Sequence, residues 1–245
     1  GYNNVSVGRG ALWDNTTGIE NTAVGDRALY ANTTAHYNTA LGINALYTNT
    51  TGYSNTAVGK NALTSNTTST HNAACGYETL KANTTGLYNT GMGASALFTN
   101  STGGYNTACG QGALHLSTTA SYNTTIGYQS LYTNTTGEKN TASGYRALFS
   151  NTTGSYNTAS GWSALYTNDT GSYNVAIGYN AGYSITTGDY NLCLGYGAEP
   201  SSATVDDEVV LGDSHIATLR CNTSTISALS DARDKVEVEP SPLGI

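Results

Sequence analysis

Charge is scarce in this sequence. Only 10% of its 245 residues are charged, against roughly 25% in an ordinary globular domain. Proline occurs three times, phenylalanine twice, tryptophan twice and methionine once. Such a chain cannot build a core from Leu, Ile and Phe; it must use small residues and regular backbone pairing. No segment approaches the roughly 18 apolar residues of a membrane span, which argues against membrane insertion. The net charge is −7, but residues 1–195 carry six basic and seven acidic side chains and are nearly neutral. Nine of the 16 acids fall between Glu199 and Glu239. Nucleic acid is not an expected partner, because phosphate binding needs a basic stripe. The four cysteines read as unpaired small buried hydrophobes. Cys75 and Cys109 occupy one repeat position two coils apart, about 10 Å at sheet spacing and too far for a disulfide. Cys193 belongs to the opposite strand face, and Cys221 lies outside the array.

What is abundant is glycine (29), tyrosine (19), asparagine and threonine, in strict order. Asn recurs at 4, 21, 38, 55, 72, 89, 106, 123, 140, 157, 174 and 191, a step of seventeen each time. A Gly follows each Asn by four residues, from Gly8 and Gly25 to Gly178 and Gly195. The consensus is N-T-A-x-G-x-x-A-L-Y-x-N-T-T-G-x-Y, and the chain opens inside one such repeat, as expected of a piece of a longer protein. No 3.6-residue period survives the recurrent Asn-Thr-Thr-Gly, so helix is excluded. Repetition at this period predicts an all-β parallel β-solenoid, of β-roll or β-helix type, with twelve 17-residue coils and no helix. Each coil has room for two strands, such as Asn21–Gly25 and Ala28–Tyr30, and two turns. The wider turn begins at Asn32-Thr33-Thr34, with Gly18, Gly52, Gly86, Gly137, Gly154, Gly171 and Gly188 in a place where positive φ is expected. At about 4.8 Å per coil the array makes a rod of roughly 55 Å. The domain boundaries expected are a shaft over 1–198, a β-stranded neck over 199–229 and a third segment over 230–245.

Adjacent strand residues face opposite ways. In N-T-A-x-G the x position is mostly apolar (Val7, Val24, Leu41, Val58, Met92, Ile126, Ile177, Leu194), and the A position is uniformly small. The larger residues are expected inside. That leaves Ala23, Ala40, Ala57, Ala74, Ala108, Ala142, Ala159 and Ala176 as a flat outer strip, too apolar to stay bare on a monomer. Three chains around an axis would cover it, so a homotrimer is expected.

The Asn-Thr-Ala-Val-Gly units at 21–25 and 55–59 resemble the head repeats of trimeric autotransporter adhesins. That resemblance implies three parallel β-rolls side by side. Beyond Gly195 the period lapses: Asp207–Gly212 and Ile216–Cys221 read as two strands about a Gly-Asp-Ser turn. The segment Ser227-Ala-Leu-Ser-Asp-Ala-Arg-Asp-Lys235 resembles the junction of a bacteriophage tail fibre or tailspike with its endosialidase-type intramolecular chaperone. The resemblance implies that residues 230–245 begin that chaperone and that the full-length protein cuts itself between Ser230 and Asp231.

Candidate chemistry is thin. His36, His71, His115 and His215 show no metal-ligand spacing, so no metal or cofactor is expected. The carboxylates Glu20, Asp26, Glu78, Glu138, Asp169 and Asp189 occupy unlike repeat positions, whereas glycoside hydrolysis needs a convergent pair. The residue after the repeat Gly becomes aromatic in the later coils (Tyr128, Tyr145, Trp162, Tyr179, Tyr196), giving a candidate glycan-binding ribbon that also reads as self-stacking. A second ladder precedes the repeat Asn (Tyr88, Tyr105, Tyr122, Tyr156, Tyr173, Tyr190) and reads as packing. The Asn-Thr-Thr units read as hydrogen-bonding ladders rather than glycan acceptors. The function expected is a structural and adhesive phage tail-fibre shaft in the virion, without turnover, whose partners are itself and a host glycan or protein receptor. The rivals are a cell-surface adhesin head, a polysaccharide-degrading tailspike and an ice-binding solenoid. The last is disfavoured because the paired threonines sit in the turn.

Overall fold

The computed structural model describes residues 1–216. Two units are distinguished, Gly1–Asp213 and Ser214–Ile245, and the first contains every strand found among the described residues. A seventeen-residue step returns each Asn-Thr-Ala segment beside its predecessor. The result is one parallel sheet of thirteen three-residue strands in strict chain order. It runs from β1 (Val5–Val7) and β2 (Thr22–Val24) to β12 (Leu192–Leu194) and β13 (Val209–Leu211). Equivalent residues pair, as in Ser6↔Ala23 and Ala159↔Ala176.

The sheet continues past 198, where a separate neck was expected. Val209–Leu211 pairs in register with β12, Leu192↔Val209. Glu208 stands in the asparagine position, and its backbone N–H donates to Asn191 Oδ1 at 3.0 Å. The lapse of period in the sequence is therefore not a lapse in the stack; the backbone of coil thirteen satisfies the coil below it. The expected strand Ile216–Cys221 lies outside the described residues apart from Ile216. The segment 230–245, with the Ser230–Asp231 bond, lies wholly outside them.

The inside and outside of the strands are the reverse of expectation. Ala23, Ala40, Ala57, Ala74, Ala108, Ala142, Ala159 and Ala176 are at most 1% exposed and form the core with Ala28, Leu29 and their equivalents. Val7, Leu41, Met92, Ile126 and Ile177 stand 47–57% exposed on the outer face. The cause is the asparagine two residues earlier. Its buried amide must point inward, and strand alternation then sends the alanine inward too. The coil is also too thin for a second large side chain opposite Leu29. At Gly91, which takes an alanine place, a Cβ would meet the Thr79 methyl at 2.6 Å; Thr79 stands where other coils carry Ala28. Cys75 and Cys109 follow the outer column, exposed and half-buried; Cys193 is a buried hydrophobe as expected, and Cys221 lies outside the described residues.

The second expected strand is absent. Ala28–Tyr30 forms a wall in which alternate residues are left-handed, with φ of 56° at Arg27 and 50° at Leu29. It still bonds from coil to coil: Leu29 N–H donates to Ala45 O and Ala31 N–H to Tyr47 O, each at 3.0 Å. Left-handed geometry in an L-residue costs on the order of 1 kcal/mol, and the repeated interchain-like pairing offsets it. The wide-turn glycines also differ from expectation. Gly18 and its equivalents have no positive φ; they are small because the next coil's carbonyl lies over them, and Ala35, Ser69 and Ala120 serve in the same place. It is the glycine after the strand, such as Gly25 at φ 137°, that adopts the unusual backbone.

Two buried asparagine columns tie the coils. Asn38 donates and accepts in the first: its Nδ2 donates to Gly52 O at 2.8 Å, its backbone N–H donates to Asn21 Oδ1 at 3.0 Å, and its own Oδ1 accepts from Asn55 N–H at 2.9 Å. In the second, Asn49 Nδ2 donates to Gly52 O at 2.9 Å and to Asn32 Oδ1 at 3.2 Å. Both amides of a coil thus converge on one turn carbonyl. The second column is interrupted at Ser117 and Ile185. Asn100 Oδ1 and Asn168 Oδ1, one coil earlier, are buried without a partner. Ile185 has its own reason: Gly182 replaces the core leucine, and the Ile185 side chain fills that space.

Two outcomes are expected. Ala57→Leu should overpack the coil and cost about 2–3 kcal/mol, while Val58→Leu should change stability by less than about 0.5 kcal/mol. Urea midpoints with the opposite order would mean that alanine faces out. Ser117→Asn should restore the missing donor to Asn100 Oδ1 and add about 1 kcal/mol; an unchanged or lower midpoint would remove that account of the ladder.

Candidate surface: outer sheet face and aromatic columns

The outer face of the sheet is built from the first and third residue of every strand. Threonines 22, 39, 56, 90, 107, 124, 141 and 158 make one column, and the apolar x position makes the next. None of the thirteen strand triplets holds a charged residue. The threonine pairs of the wide turn do lie off the sheet, but the strand threonines share its flat face, a column not weighed in the sequence. Charge is confined to the coil edges, where two ion pairs form among the described residues. Arg9 grips Asp26 through Nε and Nη2 at 3.1 and 2.9 Å, and Lys81 Nζ meets Glu78 Oε1 at 2.8 Å.

Aromatic columns flank this face on both sides. On one side Tyr88, Tyr105 and Tyr122 stack with centroids 5.1 and 5.0 Å apart, and Tyr156, Tyr173 and Tyr190 stack at 4.8 Å. Lys139 joins the two runs by donating to Tyr156 Oη at 2.7 Å. These rings are half-exposed rather than packed away. On the other side the expected ribbon assembles: Tyr128–Tyr145 at 5.3 Å, Tyr145–Trp162 at 4.0 Å and Tyr179–Tyr196 at 5.2 Å. Among the described residues no ring contact spans Trp162 and Tyr179. The rings lie within 15° of parallel along the rod axis. Within each stack the ring faces cover one another, and the rings offer edges and hydroxyls outward; Trp162 and Tyr179 are not joined, and each is about half exposed.

A third column escaped the sequence reading. The residue after the core leucine gives an unbroken stack of six rings, Phe98, His115, Tyr132, Phe149, Tyr166 and Tyr183, at 4.9–5.4 Å. The consensus Leu-Tyr carried the signal, but a strand reading of that wall hid it. His115 is thereby a stacking residue, and its Nδ1 lies 3.0 Å from Ser95 O. Arg146 lies over both Tyr145 and Phe149 at 5.2 Å and bridges the ribbon to this third column.

The remaining candidate groups stay apart. No cluster of three His, Cys, Asp or Glu exists among the described residues. His36 Nδ1 accepts from Ile19 N–H at 3.0 Å, and His71 Nδ1 lies 3.0 Å from Thr70 Oγ1. Asp189 accepts from Ser172 N–H at 2.7 Å, and Asp169 from Thr152 Oγ1 at 2.5 Å. Of the Asn-Thr-Thr asparagines, Asn32, Asn49, Asn66, Asn83, Asn134 and Asn151 have no exposed surface to accept a glycan in the folded rod, and Asn15 in the first coil is partly buried. Burial pushes the Cys193 thiol up to about 11, so it is inert beside the exposed Cys75. The chain matches no protein-family model and no curated protein.

The Lys81 contact holds the Glu78 carboxyl below its ordinary 4.5; burial opposes this, and the Asn61 amide adds to the lowering. A carboxyl lowered in the folded state stabilises above its unfolded value and loses that contribution as pH falls through the folded one. Glu78→Gln should therefore lower the unfolding midpoint at pH 7, and the gap to the parent should narrow as pH falls below the ordinary 4.5. A gap that does not change with pH would assign the loss to packing instead of charge.

Proposed function

We propose that this solenoid is the shaft of a homotrimeric phage-type tail fibre, a stiff adhesive element that presents or forms a host-receptor surface. The observation that carries the proposal is the outer sheet face. It is flat, uncharged over thirteen coils and lined by half-exposed Val, Leu, Ile and Met. At about 4.8 Å per coil and about 3.3 Å per residue the three-residue strands make a face of roughly 60 Å by about 10 Å, and the flanking aromatic columns widen it toward the roughly 800 Å² that each partner buries in a stable interface. The interface thus moves from the alanines, which are inside, to the x column and strand threonines. The face has a different aromatic column on each flank. A threefold ring sets the left flank of one chain against the right flank of the next, a heterologous contact that closes. The Ser230–Asp231 junction adds the phage resemblance. The Asn-Thr-Ala-Val-Gly repeats equally suit an adhesin head on a cell surface, which would use the same rod.

Light scattering on a sizing column should give the mass of three 25.4 kDa chains. Val58→Glu with Ile126→Glu should give one chain with an unchanged β-sheet spectrum. In a parallel trimer the exposed Cys75 of each chain approaches its copies, so in a Cys221→Ser background mild oxidation should cross-link chains, and adding Cys75→Ser with Cys109→Ser should abolish this. A parent chain that is folded and monomeric would sink the fibre reading.

A further inference from the structure

The first two coils hold a built notch away from the ribbon. Arg9, Gly10, Trp13, Arg27 and Tyr30 line a cavity of about 180 Å³. It exists because position 10 lacks a side chain. The equivalent places carry Arg27, Asn44, Asn61 and Glu78, which fill the column between the outer ladders. A Cβ at Gly10 would stand 3.3 Å from the Tyr30 ring and 3.7 Å from Arg27 Cγ. Trp13 and Tyr30 are parallel within 1°, but their centroids are 6.4 Å apart, against 4.9–5.4 Å in the six-ring stack. Part of the indole face on the Tyr30 side is therefore open. The charges do not cancel. Asp26 is taken up by the Arg9 fork, and among the described residues no acceptor engages the Arg27 guanidinium.

We propose that this notch binds an acidic pyranose: the sugar carboxylate lies on the Arg27 fork and the ring against the open Trp13 face. A guanidinium matches a carboxylate with two parallel N–H···O bonds, and an exposed indole supplies the apolar surface that a pyranose face needs. The fold contains its own contrast. Gly112 repeats the opening six coils later, with the Tyr132 ring 3.3 Å from its would-be Cβ. There Gln129 replaces Arg27 and is engaged by Arg146 Nε at 3.0 Å. The inference rests on the receptor-binding reading and names the ligand class.

Calorimetric titration of the full chain with a glucuronate-containing tetrasaccharide tests it, beside the carboxyl-reduced analogue that differs only in charge. Binding at least tenfold weaker for the reduced sugar is expected. Gly10→Asn should abolish binding without unfolding, since Asn44 and Asn61 occupy the same place with φ of 55° and 59°. Arg27→Gln should lose at least tenfold with an unchanged circular dichroism spectrum. Equal affinity for both sugars, parent-like binding by Gly10→Asn, or no binding by the parent would overturn the notch. Host-cell adhesion that survives Gly10→Asn would leave the receptor reading standing. All five lining residues belong to one chain, so a failed trimer would leave the titration readable.

Discussion

The structure depends on one buried amide repeated every coil. The strand asparagine closes its own turn through Nδ2 and receives the next coil's backbone N–H on Oδ1. A buried polar group of this kind is costly unless every bond is made. The stack therefore tolerates neither insertion nor slip, and the seventeen-residue step is kept for twelve coils. The second asparagine column illustrates the same rule by its failures. Where Ser117 and Ile185 interrupt it, the preceding oxygen is left bare.

That inward amide decides the rest of the cross-section. It fixes the alanine inside, the threonine and the larger apolar residue outside, and it leaves a core only wide enough for alanine against leucine. Stability then comes from many small identical contacts between neighbouring coils, as in other quasi-one-dimensional folds. Volume is traded within a coil, as between Thr79 and Gly91 or between Gly182 and Ile185. The outer surface is released from core duty. Its ladders can carry rings, thiols or charge without disturbing the stack, and that freedom is what gives different coils different surfaces.

Coil length, parallel register, absence of helix and asparagine ladders were all legible as periodicity. So were the two stacks Tyr128–Tyr145–Trp162 and Tyr179–Tyr196, since equal spacing places like residues in neighbouring coils. Periodicity is silent about direction. Side-chain size points the larger residue inward, and it misleads because coil thickness is not written in the repeat. The same silence hid the third aromatic column and the exposed Cys75. It also turned a wall of alternating left-handed residues into an expected strand.

The sequence by itself determined the translation: a step of seventeen, with like residues placed above like. Only the tertiary structure decided the cross-section, because inside and outside depend on where buried amides find acceptors across a turn. It alone also showed that coil thirteen joins the sheet without its asparagine. There the backbone N–H of Glu208 makes the bond that the coil below requires, and a backbone group leaves no mark in the sequence.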